Sequence, residues 1–165
     1  MNTVHALLKT NIPLEKLDHP AFREWLNENV KGGGNIVSAK WQREKYLLQV
    51  KIKCDHEITK LLKEKQIVIL CDETTNRKCE AVFQILFRIL LSGTHVEPLN
   101  VVAAVNVLQI CTDDSCSKPI IQALNKYDVN FENVIAISTD SAPYMNLCVR
   151  LLKELLNTSF EHIQY

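Results

Sequence analysis

Two aspartates follow short apolar runs of the sequence and could together carry chemistry. Asp72 comes directly after the run 67–71, and Asp140 comes just after the run 134–138. If these runs form neighbouring parallel strands, about 4.8 Å apart, both carboxylates emerge at one carboxyl edge, where open α/β sheets bind ligands. Oxygen ligands there suit Mg²⁺ or Mn²⁺, and two such ions can support phosphodiester cleavage or strand transfer.

A second interpretation of both aspartates needs no metal, because Asp also favours turns and helix caps. The choice depends on a third ligand. Glu73 would point away from Asp72 in an alternating strand, and Glu154 lies late in a helical segment. Glu80, at the start of the next apolar run, is the least unsuitable candidate. Without a third ligand the ions would be poorly positioned for two-metal chemistry.

The first part of the chain has helical periodicity. Phe22, Trp25 and Leu26 recur at helical spacing behind Asp18, which we expect to be the N-cap. After a glycine-rich break at 32–34, Ser38 opens a second helical pattern that continues to about residue 65.

The two tryptophans of the chain, Trp25 and Trp41, both lie in this helical part. We favour core packing for their side chains over base stacking, because large apolar residues usually anchor a core.

The period changes near Gln66, where runs rich in β-branched residues begin. We expect strands at 67–71, 81–91, 99–110 and 134–138, helices at 119–127 and 143–156, a possible last strand at 160–165, and a loop containing Gly93. The sequence therefore predicts an α/β fold in which a helical region, 1–65, precedes a mixed sheet with packed helices, 66–165.

Charge is unevenly distributed along a chain whose net charge is zero. Residues 1–66 carry twelve Lys/Arg and eight Asp/Glu, whereas residues 67–165 carry seven and eleven. The basic first part could contact phosphate, or it could be an ordinary solvated helical surface. No stretch resembles a signal peptide or a membrane span, and none of the six cysteines forms a zinc-type pattern with histidine.

Three segments carry a resemblance to a known family. Residues 11–26 are similar to a helical segment of hAT-type transposases and their host-adopted relatives, especially the C-terminal part of CGG triplet repeat-binding proteins. Residues 69–75 resemble the first hAT catalytic block, and residues 138–145 resemble the second. The resemblance extends from Val4 to Ile163. It implies an RNase H-like fold in which Asp72 and Asp140 match the first two members of a DDE triad.

The same resemblance implies parts that these 165 residues lack: a BED-type zinc finger, a Cys-x-x-His motif after the fifth strand, and the third catalytic Glu. We therefore expect an incomplete RNase H-like sheet in which Asp72 and Asp140 are vestigial catalytic and metal-binding residues. No cofactor is expected, and Mg²⁺ would bind only if the ancestral site still holds it.

The function that follows is a transposase-derived nuclear protein without catalysis. It would associate with DNA through the basic N-terminal half, or with other proteins. The alternatives are a Mg²⁺-dependent DDE transposase or nuclease and a non-functional gene remnant. The oligomeric state stays open.

Overall fold

The computed structural model describes residues 3–32, 34–91, 97–156 and 158–165. The chain forms two compact units, Met1–His56 and Glu57–Tyr165, called unit 1 and unit 2 below. Their boundary falls within a helix, upstream of the change in hydrophobic period near Gln66. The expected loop at Gly93 lies outside the described residues.

Unit 1 is built from short helices around a small aliphatic core. Its helices are α1 (Thr3–Lys9), a 3-10 helix (Leu14–Asp18), α2 (Pro20–Asn29), α3 (Ala39–Gln42), a π-helical turn (Arg43–Leu47) and the first part of α4 (Leu48–Leu62). The buried apolar side chains are Val4, Leu7, Leu14, Leu17, Ala39 and Val50. The helical pattern expected from Ser38 onward is confirmed, and the Ser38 hydroxyl caps α3 by accepting a hydrogen bond from Trp41 N.

The expected role of Asp18 is wrong. The N-cap of α2 is His19, whose side chain makes no capping bond. Asp18 instead accepts a hydrogen bond from the backbone N–H of Ala39, with distances of 3.1 and 3.2 Å to its two oxygens. It also pairs with Arg23 at 3.2 Å. Asp18 therefore connects the start of α2 to the start of α3. A sequence motif within a single helix does not indicate such a contact between two helices.

Unit 2 contains a five-stranded mixed sheet of order β3-β2-β1-β4-β5. Its strands are β1 (Ile67–Thr75), β2 (Ala81–Ile89), β3 (Leu99–Leu108), β4 (Val134–Thr139) and β5 (Glu161–Gln164). The first three strands form an antiparallel meander, while β4 pairs in parallel with both β1 and β5. The expected α/β fold and its element order are confirmed.

Two helices of unit 2 cover one face of this sheet. They are α5 (Asp113–Lys126) and α6 (Pro143–Leu156), and they pack on the buried side chains of alternate β2 residues, Phe83, Ile85, Phe87 and Ile89. Helix α5 begins six residues earlier than the expected start at Pro119, because Thr112 and Ser115 form a capping box ahead of the proline. The opposite face carries more exposed valines on β3, at positions 102, 105 and 107.

Among the described residues, no helix combines the length and the apolar character that a bilayer span requires.

Candidate functional site

The register of β1 and β4 brings Asp72 and Asp140 to the same edge of the sheet. Their parallel ladder ends at the pair Leu70 and Ser138. Asp72 lies two residues beyond Leu70, and Asp140 lies two residues beyond Ser138. Because side chains alternate between faces along a strand, the register gives the two aspartates corresponding positions. The expected pairing of these two strands is confirmed.

The expectation that Asp72 follows the end of its strand is wrong. The segment from Glu73 to Thr75 continues β1 by pairing with β2, and Thr75 is opposite Ala81. The turn comes later, at 76–80, where the Asn76 side chain accepts hydrogen bonds from the backbone of residues 78 and 80. Strand β2 pairs with the backbone N–H and C=O groups of residues 73–75. This pairing keeps the segment in a strand although its composition is typical of a turn.

Asp140 leads from β4 into α6. Its Oδ1 accepts a hydrogen bond from the backbone N–H of Ala142 at 3.3 Å, just before the helix begins at Pro143. This is the turn role that the metal-free interpretation predicts. Asp140 is half-buried, whereas Asp72 is exposed.

Tyr165 lies at the same edge of the sheet as the two aspartates. Partial burial raises the pKa of its phenol, and the charges of Asp72 and Asp140 raise it further. The Tyr165 hydroxyl also donates a hydrogen bond to the carbonyl oxygen of Cys71 at 3.3 Å. The Tyr165 phenol therefore lies where the parallel ladder of β1 and β4 ends.

The third acid at this edge, Glu73, is engaged elsewhere. Its Oε2 accepts a hydrogen bond from Tyr144 Oη, at 2.8 Å. Burial raises the pKa of Tyr144, and its bond to Glu73 raises it further. Burial and then a hydrogen bond with Glu73 raise the pKa of Cys111 to about 12. Glu73 thus lies between Tyr144 and Cys111, and alternation along β1 directs it to the opposite face from Asp72.

The other two candidates for a third ligand, Glu80 and Glu154, lie away from the two aspartates in sequence and have different surroundings. Glu80 accepts a hydrogen bond from Asn76 Nδ2 at 2.8 Å, within the β1–β2 turn. Glu154 is exposed in the second half of α6. Across the part of the chain that the structure describes, no three His, Cys, Asp or Glu side chains are grouped so that they could hold a metal ion. This edge of the sheet therefore carries two carboxylates, those of Asp72 and Asp140.

In unit 1 the tryptophans do not anchor the core. Trp25 is 53% exposed and Trp41 is 38% exposed. Trp25 stacks on Phe22, with ring centroids 6.2 Å apart. Trp41 contacts Tyr46 edge to face at 5.6 Å, and Lys45 Nζ lies 4.5 Å from the Trp41 ring centroid. The expectation of core packing is wrong because aliphatic side chains from α1, the 3-10 helix and α4 fill this small core.

A cavity of about 630 Å³ opens beside Trp41 within unit 1. Its lining includes the aromatic residues Trp41 and Tyr46 and the amide residues Asn27, Asn35 and Gln42. Cavities of this size and mixed lining are typical of small-ligand sites.

The comparisons with known proteins concern this unit. Residues 1–49 match the CGGBP1 helical domain. Over 44 residues the chain is 50% identical to CGG triplet repeat-binding protein 1 of mouse and of human. That stretch is 27% of this chain and 26% of each relative, so the chain spans about a quarter of the length of the curated relatives it matches. The expected resemblance to CGG triplet repeat-binding proteins is confirmed for this segment.

The segment that matches the CGGBP1 helical domain contains Trp25, Trp41 and Tyr46, together with the residues that line the cavity. It does not contain Asp72 or Asp140. The hAT and RNase H-like resemblance of unit 2 stays a prediction.

The sequence analysis did not identify several residues near the two aspartates and beside the unit 1 cavity. Tyr144 donates a hydrogen bond to Glu73, 71 residues away, and spacing along the chain does not indicate that contact. Lys45 follows Trp41 at the spacing of helix neighbours, which could have indicated their contact. No sequence signal connects Tyr165 to Asp72, because their contact depends on the order of strands in the sheet.

Proposed function

We propose that this chain is a nuclear, DNA-associated module of hAT-transposase ancestry that acts without catalysis and contacts DNA through unit 1. The observation that carries the proposal is the match of residues 1–49 to the CGGBP1 helical domain, with 50% identity to a protein named for binding CGG triplet repeats.

The charge of unit 1 supports a contact with phosphate. Residues 1–56 contain nine Lys/Arg and six Asp/Glu, a net charge of +3. Three of the cations pair with acids of the same unit: Arg23 with Asp18, Lys40 with Glu44 and Arg43 with Glu15. The other six are exposed lysines, at positions 9, 16, 31, 45, 51 and 53. Exposed lysines can displace the counterions of DNA, which is the main source of non-specific affinity.

Unit 2 supports the ancestry and the absence of catalysis. A meander of three strands followed by two parallel strands, with Asp72 and Asp140 at corresponding positions of β1 and just after β4, is the arrangement that the RNase H-like resemblance implies. The acid nearest to them in sequence, Glu73, is bonded to Tyr144 and so is not directed at a metal beside Asp72.

A titration of the full chain with a fluorescent CGG-repeat duplex tests the DNA contact. We expect binding that weakens steeply between about 50 and 200 mM salt, because released counterions drive it. The double change Lys51→Gln and Lys53→Gln should weaken binding and reduce the slope of log K against log salt by roughly 2, about one per phosphate contact. A matched double change in unit 2, Arg77→Gln and Lys78→Gln, should leave both unchanged. Absence of binding at low salt, or binding insensitive to salt, would contradict the proposal.

A second candidate function, a Mg²⁺-dependent DDE nuclease, is favoured by the strand register that brings Asp72 and Asp140 to the same edge of the sheet. Mg²⁺ is often held by one or two carboxylates with substrate phosphates completing its shell, and Asp72 and Asp140 would hold it here. A nicking assay on supercoiled DNA with Mg²⁺ separates the two candidates. We expect no cleavage. Cleavage that both Asp72→Ala and Asp140→Ala abolish would establish the nuclease.

A further inference from the structure

The unit 1 cavity is lined by an amide side chain that makes no hydrogen bond among the described residues. Gln42 is 9% exposed and lines the cavity. Among the hydrogen bonds of the described residues, none involves its side-chain amide, whereas its backbone N–H is bonded to Ser38 O. The amide atoms of Gln42 are not among the buried side-chain atoms that lack a partner, so they are accessible from the cavity. The Gln42 amide can therefore exchange hydrogen bonds with water or with a ligand group there.

The walls beside Gln42 are aromatic. Trp41 and Tyr46 both line the cavity and contact each other edge to face. Trp41 keeps 38% of its surface exposed although the apolar side chains of Ile36 and Val37 lie along the same cavity. A planar ring that stays accessible within a cavity can stack on another planar ring, and base–aromatic stacking is the usual anchor for single-stranded nucleic acid.

Charge and polarity select the occupant. Lys45, beside the Trp41 ring, is an exposed cation suited to a phosphate. Asn27 and Asn35 add exposed amides at the same cavity. A glutamine amide supplies one donor and one acceptor together, which fits the edge of a nucleobase. A ligand without polar groups would use the aromatic rings but would displace water from the Gln42 amide without replacing its hydrogen bonds.

We propose that this cavity takes one unstacked nucleobase of single-stranded DNA, stacked against Trp41 and read at its edge by Gln42. The inference rests on the proposed function and adds to it the form of DNA that unit 1 recognises. A base in an intact duplex cannot enter such a cavity unless it leaves the stack, so single strands or unpaired bases are the preferred ligand.

The test compares three fluorescent probes on the full chain: a single strand of roughly 12 deoxyadenosines, an abasic strand of the same length, and the corresponding blunt duplex. We expect the single strand to bind at least tenfold more tightly than either of the others. This comparison uses the unaltered protein, so it does not depend on how any variant folds. Equal binding of the abasic strand or the duplex would overturn the inference and leave the DNA-association proposal standing. Binding of none of the three would contradict both.

Substitutions in and outside the cavity lining test whether the base binds in the cavity. Trp41→Ala should weaken single-strand binding on the order of tenfold or more, while Trp25→Ala, which removes an exposed tryptophan outside the cavity lining, should not. Gln42→Leu should leave thermal stability unchanged or raised, because it replaces an amide that makes no hydrogen bond within the protein, and should still weaken binding of the adenine strand. Equal affinities of the two tryptophan variants would contradict the proposal.

Occupation of the cavity by a second copy of the chain would also contradict it. In the Trp25→Phe variant, Trp41 is the remaining tryptophan. Its emission should change on addition of the single strand and not with protein concentration alone. A change with concentration would assign the cavity to self-association.

Discussion

At the scale of single residues, Asp18 shows how a side chain can serve an element other than the one it precedes. It comes just before α2 in the sequence, but its carboxylate accepts the Ala39 N–H at the start of α3 and pairs with Arg23. The first N–H groups of a helix have no partner within the helix. A carboxylate placed there satisfies one of them and also interacts favourably with the helix dipole.

We therefore expect Asp18→Ala to lower the free energy of unfolding of unit 1 by about 1 kcal/mol, the usual cost of losing such a capping bond. Urea denaturation followed by tryptophan fluorescence measures it, because both tryptophans lie in unit 1. Glu24→Ala, at an exposed acid of α2, is the control and should change the midpoint little. Equal effects of the two variants would show that Asp18 contributes only its charge.

At the scale of elements, the buried stripe of α6 differs from the one that its leucines suggest. The spacing of Leu147, Leu151, Leu152 and Leu155 along the sequence predicts that they share one face of the helix. Only Leu152 of these is fully buried, whereas Leu147 is 43% exposed and Leu155 is 59% exposed. The buried positions are Met145, Cys148, Val149 and Leu152. Two apolar stripes compete on this helix, and contact with α5 and the sheet selects one of them.

The choice between the stripes is measurable with two leucines of the same helix. Leu152→Ala should destabilise unit 2 by about 2–5 kcal/mol, because it leaves a cavity in the core. Leu155→Ala removes the same atoms from an exposed position and should cost less than about 1 kcal/mol. Far-ultraviolet circular dichroism during urea denaturation gives both values. A larger loss for Leu155→Ala would mean that α6 packs through its other stripe.

Strand β5 is held against β4 partly by a titratable contact. His162 Nε2 lies 2.9 Å from Thr139 Oγ1, and Thr139 is fully buried. Burial lowers the pKa of His162 from its ordinary value of 6.5, and the charge of Lys153 lowers it further. Because the folded pKa is below the unfolded one, the unfolded chain takes up the proton first as the pH falls. The stability that neutral His162 contributes is present above pH 6.5 and is lost as the pH falls through the folded pKa.

Unit 2 should accordingly unfold at lower urea concentration near pH 5.5 than near pH 7.5, values on either side of roughly 6.5. His162→Gln keeps a group that can bond Thr139 and should reduce this difference. His56→Gln, at an exposed histidine of α4, should leave the difference as it is. A pH dependence that persists unchanged in His162→Gln would assign it to other groups.

At the scale of the whole molecule, unit 2 buries thiols from several elements in one core. Cys71 of β1, Cys116 of α5 and Cys148 of α6 are buried, and Cys111 lies just before α5. Burial is the first cause that raises the pKa of all four above 9.0, and the pKa of Cys111 and of Cys148 reaches about 12. The core therefore stabilises the neutral thiols.

The sign of the resulting pH dependence is opposite to that of His162. As the pH rises above 9.0, thiols of the unfolded chain ionise first, so their contribution is present below pH 9.0 and is lost as the pH rises towards 12. We expect the free energy of unfolding to fall above pH 9, measured under reducing conditions. Cys148→Ala should reduce that slope, whereas Cys79→Ala, at an exposed thiol, should not. A flat profile up to pH 11 would contradict the expectation.

The sequence by itself determined the features that depend on neighbouring residues. The order of helices and strands follows from hydrophobic period and from turn residues, and it predicted that β1 and β4 bring Asp72 and Asp140 to the same edge of the sheet. It also predicted that a helical segment opens at Ser38, where the structure has a capping bond between residues three positions apart. Such interactions are local, so the spacing of residue types is enough to indicate them.

Only the tertiary structure decided which surfaces face inward and which distant groups meet. The contact of Glu73 with Tyr144 joins residues 71 positions apart, and that of Cys71 with Tyr165 joins residues 94 apart. The exposure of Trp25 and Trp41 and the burial of Gln42 beside a cavity depend on how much core the surrounding helices supply. Spacing along the chain does not contain this information, because a side chain's surroundings are set by elements that pack from elsewhere in the sequence.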